Sequence, residues 1–223
     1  MARPPRPQIA GGIYHVTARG NRKQQIFLDR ADGDYFLGVF ADVVAGFGWL
    51  CDAYCLMPNH YHLLVSTPAA DLSIGMHRLN SLYTQRVNRR HDQTGHLFQG
   101  RFHSALVERQ EHLLELSRYL VLNPVRAGLC EHPGEWRWSS YRAYLGSAAR
   151  PTFLRVSWLL KEFGRERARA QVGYREFVDA GHSRAMSTGL TPGTPAYPKP
   201  YTPANRSARS LTRSAAGRPT TFR

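Results

Sequence analysis

An α+β fold, with an antiparallel sheet and helices on one face, is predicted from three features of the 223-residue sequence. Short segments with period-two alternation read as strands. Three longer segments carry apolar residues at helical spacing. The two kinds interleave in the order β-α-β-β-α-β-α, whose βαββαβ portion is the ferredoxin-like (RRM-like) pattern.

The elements follow in chain order. IYHVTARG (13–20) alternates, with Ile13 and His15 on one face and Tyr14 and Val16 on the other. The basic turn RGNRKQQIF comes next. Residues 31–47 place Phe36, Val39, Phe40, Val43 and Phe47 in one helical stripe, ended by Gly46 and Gly48. WLCDAYCLM (49–57) and HYHLLVS (60–66) are two strands, with Pro58-Asn59 as the turn. Asp71 is the expected N-cap of a helix to about Arg90, with stripe Leu72, Met76, Leu79, Tyr83 and Val87. HDQTGHLFQG (91–100) is a loop, and RFHSALVE (101–108) is the fourth strand. A third helix runs from about Gln110 to Leu122. Asn123-Pro124 is expected to stop it, because the residue before proline disfavours the α region.

Composition divides the chain further. Residues 1–8 read as a disordered basic arm, 9–150 as the main domain and 151–181 as a helical extension. The segment 182–223 has seven Arg or Lys and no Asp or Glu among Pro, Ser, Thr, Gly and Ala, and is expected to be disordered. It holds +7 of the net charge of +14, so the folded part is itself strongly basic. Such a balance, with a pI near 10.3, points to a polyanion such as nucleic acid. Three cysteines without CxxC spacing argue against a disulfide framework or zinc knuckle and for a reducing compartment. No apolar run of about 18 residues or signal-like h-region occurs, so the expectation is a soluble, cytoplasmic, nucleoid-associated protein with no membrane partner.

The chemistry centres on CLMPNHYHLLV (55–65). In a strand, His60 and His62 point to one face, side by side, as a pair of imidazole ligands for a divalent metal. On the third helix His112, Glu115, Tyr119 and Asn123 gather opposite the stripe of Leu113, Leu116, Ser117 and Leu120. Tyr119 and Asn123, one turn apart, offer a phenol and an amide oxygen together, with Glu115 as a second oxygen ligand. A metal so held can polarise a phosphate, and a tyrosine can attack phosphorus to give a phosphotyrosine ester that conserves bond energy for rejoining. Tyr83 is a rival nucleophile but falls in an apolar stripe, and Tyr61 faces away from both histidines. His15 and His103 read as structural strand histidines.

LMPNHYHLLV, TGHLFQGRF, RYLVLNPVRAGL and WRWSSYRAY resemble the HUH single-tyrosine transposases, most closely the REP-associated tyrosine transposase branch. The resemblance spans about residues 9–180, with the four motifs in order. It implies the HUH transposase fold, a Mg²⁺ or Mn²⁺ ion, and nicking and rejoining of single-stranded DNA beside hairpins through a 5′-phosphotyrosine intermediate. By it, His60 and His62 are metal ligands, Tyr119 is the nucleophile and Asn123 completes the metal site. Single strands are held by cations and stacked aromatics. Arg19, Arg22 and Lys23 beside Phe27, Arg101 between Phe98 and Phe102, and Arg137 and Arg142 among Trp136, Trp138, Tyr141 and Tyr144 are the DNA-binding candidates. The WRWSSYRAY segment reads equally as an aromatic lid. Related enzymes include domain-exchanged homodimers and monomers, so a homodimer is one expectation. Two other functions fit the same residues: a hairpin-binding RRM-like module without cleavage, and a metal-dependent nuclease that uses water.

Overall fold

Four strands, β1 (Gly12–Arg19), β2 (Leu50–Met57), β3 (His60–Thr67) and β4 (His103–Leu106), form one antiparallel sheet in the spatial order β2-β3-β1-β4. The computed structural model describes residues 8–107 and 110–187, with side chains described for 8–107 and 112–181. β3 pairs on both sides, so that His62 has Thr17 of β1 and Cys55 of β2 as its cross-strand partners.

Pleating sorts the side chains. Tyr61, Leu63 and Val65 of β3 and Tyr14, Val16 and Ala18 of β1 share one face and are all buried. Two helices cover it, α1 (Arg30–Phe47) and α2 (Leu72–Arg90). Phe36 packs on Tyr61 at 4.8 Å between ring centroids and on Tyr83 at 5.1 Å. The opposite face carries His15, His60, His62 and Leu64. A third helix, α3 (Gln110–Arg126), lies across it, with Leu113 and Leu120 against Ala53, Cys55, Met57 and Leu64. The mixed α+β class and antiparallel sheet are as expected, but the helices occupy both faces. The α3 stripe needs an apolar partner, and α1 and α2 already fill the first face.

Helix ends follow local chemistry. Asp29 caps α1 by accepting the Asp32 N–H at 3.1 Å. Gly48, at φ +64°, closes α1 in the left-handed conformation. Asp71 does not cap α2 with its side chain; its carboxylate accepts the Trp49 indole N–H at 2.8 Å instead. α3 continues through Pro124 to Arg126 rather than stopping at Leu122. Proline removes one donor, yet the Ala127 N–H still reaches the Asn123 carbonyl at 3.0 Å and closes the last turn. β4 is shorter than its sequence pattern, four residues in place of eight.

The C-terminal segment completes the sheet. Residues 136–140 run beside the outer edge of β2, the Leu56 N–H donating to the Trp138 carbonyl at 2.8 Å and the Ser140 N–H to that of Tyr54 at 3.0 Å. An edge strand is thus covered. Three helices follow, α4 (Tyr141–Tyr144), α5 (Val156–Leu160) and α6 (Arg167–Ser187), with Tyr141, Tyr144 and Tyr174 fully buried. The reading of 136–144 as an aromatic lid therefore holds for both tyrosines. α6 extends to Ser187, beyond the expected start of the tail at 182. Residues 1–7 and 188–223, expected to be disordered, lie outside the described residues; Gln8, the last of that arm, accepts the Ser73 N–H at 2.9 Å.

One ion pair pins this segment to the sheet. β2 has a register shift between Cys51 and Ala53, and Asp52 sits in it. A bulge re-aims the extra side chain. The buried Asp52 carboxylate accepts from Arg155 Nε at 2.7 Å and Nη2 at 2.9 Å. Burial raises the Asp52 pKa and Arg155 opposes that shift. Arg155→Ala leaves the carboxylate buried alone and should cost roughly 3–5 kcal/mol in chemical denaturation. A raised folded-state pKa means that protonation favours the fold, so this loss should shrink as pH falls through the carboxyl range, while it persists at neutral pH.

Candidate active site

The pleat of β3 aims His60 and His62 at α3, and β1 adds His15 from the neighbouring position. The His60 and His62 rings stand 4.9 Å apart, and His15 stacks on His62 at 5.2 Å. Each metal-site candidate has one ring nitrogen committed. Asn59 donates its Nδ2 to the Lys23 carbonyl at 3.0 Å, which turns its Oδ1 toward His60 Nδ1 at 2.6 Å. An amide oxygen only accepts, so His60 Nδ1 carries the proton and Nε2 keeps its lone pair. His15 Nε2 lies 2.9 Å from His62 Nδ1. With His62 Nδ1 as the donor there, the lone pair on His62 is at Nε2, which is buried and has no hydrogen-bond partner among the described residues.

Electrostatics keep these rings neutral. Burial, with Arg19 as a lesser cause, lowers His60 to about 4. Burial and His103 lower His15 to about 4. His62 is pushed well below its usual value by burial first and then by His15, His60 and Arg19. A neutral imidazole with a free, buried lone pair is the state that ligates a metal.

Tyr119 of α3 meets this group edge-on, its ring 6.1 Å from His62 and 6.4 Å from His15. Asn123 is one turn further along α3, with its Nδ2 buried and without a hydrogen-bond partner among the described residues. Rotating that amide would present Oδ1 at the same place. The buried His62 Nε2 lone pair is of the kind that a divalent ion takes up. Glu115 does not join them; it pairs with Arg118, which also donates to the Phe177 carbonyl at 3.2 Å and covers the Phe177 ring at 4.3 Å. Arg118 thus ties α3 to α6. Tyr83 and Tyr61 are fully buried, donate to the Ile26 carbonyl and Asn80 Oδ1, and have pKa values raised chiefly by burial.

The basic candidates separate into two places. Arg19 is the cross-strand partner of His60. Arg22 and Lys23 follow in a tight turn with positive φ, docked on the β2–β3 turn through Ile26 N–H to Pro58 O at 2.8 Å. The Asn21 N–H donates to the Leu97 carbonyl and the Gln99 N–H to that of Arg19, which brings the Arg101 loop to the same end of the sheet. Arg137 and Arg142 lie instead along the β2 edge, lining a cleft of about 270 Å³ with Tyr54 and Ser139. A separate cluster of possible ligands among the described residues, Asp29, Asp32 and His91, is already engaged by Arg90, whose guanidinium contacts Asp29 at 2.6 Å and Asp32 at 2.8 Å.

Three residues of the site were not visible as such in the sequence. His15 looked structural because its partner is 47 residues away. Asn59 looked only like a turn residue. Arg126 sits over the Tyr119 ring at 4.9 Å. Its i+7 spacing would have placed it there had the helix been continued past Pro124.

Comparison with known proteins follows the same lines. The family model "Transposase IS200 like" matches residues 9–122, just over half of the chain. A Haemophilus influenzae protein assigned as a REP-associated tyrosine transposase is 25% identical over 145 residues, covering 59% of this chain and 80% of the relative. A solved REP-associated tyrosine transposase bound to a REP hairpin has a TM-score of 0.58 at 18% identity, over 70% of this chain and 94% of that one, which shows a common fold. With strands, histidine pair and tyrosine helix all within or beside the matched segment, the chain belongs to the IS200-like transposase family and is similar to its REP-associated tyrosine branch.

Proposed function

We propose that this protein nicks and rejoins single-stranded DNA at hairpins of the REP type, through a 5′-phosphotyrosine intermediate formed by Tyr119. The carrying observation is the Tyr119 ring set against His62 and His15 by a helix that crosses the histidine face. His60 and His62 through Nε2, with Asn123, would hold Mg²⁺ or Mn²⁺, which would polarise the scissile phosphate. Tyr119 Oη attacks phosphorus, the Oη–P bond forms and the P–O3′ bond breaks. The phenolic proton leaves with the departing 3′ oxygen, and attack by a 3′-hydroxyl reverses the step. Arg126, over the ring face, places positive charge where the phenol loses its proton. Arg19, Arg22, Lys23 and Arg101 would carry the backbone past the histidines, and Arg137 and Arg142 would extend that track along β2. Residues 9–150 would be the catalytic domain and 151–181 its brace. Tyr119 meets the histidines of its own chain, so this geometry calls for no exchange of helices between copies.

The test is a denaturing gel with end-labelled hairpin DNA from the sequence flanking its gene. Wild type with Mn²⁺ should give a protein–DNA adduct that Tyr119→Phe and His60→Ala both lose, while hairpin binding stays within a few fold. Cleavage that survives Tyr119→Phe would instead mark a hydrolytic nuclease, and binding without cleavage a hairpin-binding module. Arg126→Leu should slow adduct formation at least roughly tenfold at neutral pH, from the loss of one nearby charge. Asn59→Ala and His15→Leu should each weaken Mn²⁺ binding about 10–100-fold by calorimetric titration, since they remove groups that orient the ligands.

A further inference from the structure

Beside the tyrosine site lies a second cavity of about 320 Å³, between the β2–β3 turn, the start of α1 and the segment 136–138. Gln25, Phe27, Met57, Pro58, Trp136 and Trp138 line it. We propose that this cavity binds one unpaired nucleobase of the DNA strand, next to the phosphate that is cut. The inference rests on the reading of the protein as a single-strand nicking enzyme, and adds where and how a base is read.

Position is the first argument. Met57 is the direct cross-strand partner of His60, and such pairs have Cα atoms about 4.5–5.5 Å apart. Met57 also packs in the apolar group that borders Tyr119, and Trp136 packs on that same group. Met57 therefore borders the cavity and, across the strand pair, faces His60 of the proposed metal site.

The walls are the second argument. Three aromatic side chains face one small space, and base stacking on aromatic rings is how single strands are held without a duplex. The walls are fixed in place. Trp136 donates its indole N–H to the Leu56 carbonyl at 2.9 Å. Trp138 carries the Arg137 guanidinium over its ring at 4.6 Å, and its backbone carbonyl accepts from Leu56. Its ring edge lies against Gly33 so closely that a Cβ there would come within 2.6 Å of it. Glycine at 33 is what admits the indole. Both tryptophans are only half-buried, so each keeps surface for a ligand.

Size and polarity are the third. The volume is at the lower end of small-ligand cavities, roughly 300–1,000 Å³, and is ample for a single base. Gln25 is exposed at the rim and offers both a donor and an acceptor to a base edge. Arg30, also at the rim, pairs among the described residues with exposed Asp34 at 3.4 Å and could turn to a flanking phosphate.

The experiment uses the full chain and a hairpin oligonucleotide from the DNA flanking its gene. 2-Aminopurine replaces each unpaired position beside the stem in turn, in EDTA so that no cleavage intervenes. One position should be selectively quenched, and an abasic site there should weaken binding about tenfold. Trp136→Leu should abolish both effects with the melting temperature within a few degrees of wild type. Gln25→Ala, at an exposed position, should flatten the preference among bases at that position and leave stability unchanged. The proposal is overturned if no position is selectively quenched, if the oligonucleotide does not bind, or if both variants keep the wild-type pattern. Nicking in Mn²⁺ is scored separately. A Tyr119 adduct without selective quenching sinks the base site alone. Selective quenching without an adduct supports the base site and sinks the tyrosine chemistry alone.

Discussion

The alternation of β3 between two ladders is the constraint on which the rest depends. Its side chains have a period of two, and partners on both sides hold its register. A slip of one residue would send Tyr61, Leu63 and Val65 to the face that α3 covers. It would bury His60 and His62 among the rings of α1 and α2. Core packing and site geometry are therefore enforced by the same strand. The apolar face, with Phe36 on Tyr61 and Tyr61 bonded to Asn80, opposes every error in the histidine face.

His15 and His62 are buried and His60 half-buried in a strongly basic chain, and this combination has a simple consequence. Desolvation and nearby positive charge both disfavour imidazolium. The rings stay neutral, and the acceptors offered by Asn59 and His15 then decide which nitrogen holds the proton. Those partners come from different elements. Asn59 is itself oriented by the Lys23 carbonyl in the turn after β1, so the basic turn and the metal-site candidates are mechanically linked.

Residues 136–181 act through contacts with the sheet and with α3. The 136–140 segment covers the β2 edge, Arg155 neutralises the carboxylate that the β2 bulge turns outward, and Tyr144 bonds to the Asp52 carbonyl. Arg118 joins the tyrosine helix to α6 through Phe177. The extension thus steadies the surface that carries Tyr119 from behind, and the two tryptophans reach from it toward the β2–β3 turn.

Local pattern was enough to read the four strands, α1 and α2, the histidine pair and the Tyr119–Asn123 helix face, because each rests on periodicities of two or 3.6 along one element. Pattern alone misjudged α3 twice. Its end was placed at Leu122 because the proline rule is local, whereas packing against β2 holds the turn through Pro124 and so brings Arg126 over Tyr119. Its side of the sheet was set by which face remained uncovered. The role of Asp71 likewise passed from cap to Trp49 acceptor once Trp49 was near. His15 acquired a partner 47 residues away, and Gly33 its meaning from an indole more than 100 residues later in the chain. Periodicity along each element fixes which residues share a face. Which faces meet is a property of the assembled fold, because contact between elements depends on where each remaining apolar surface can be buried.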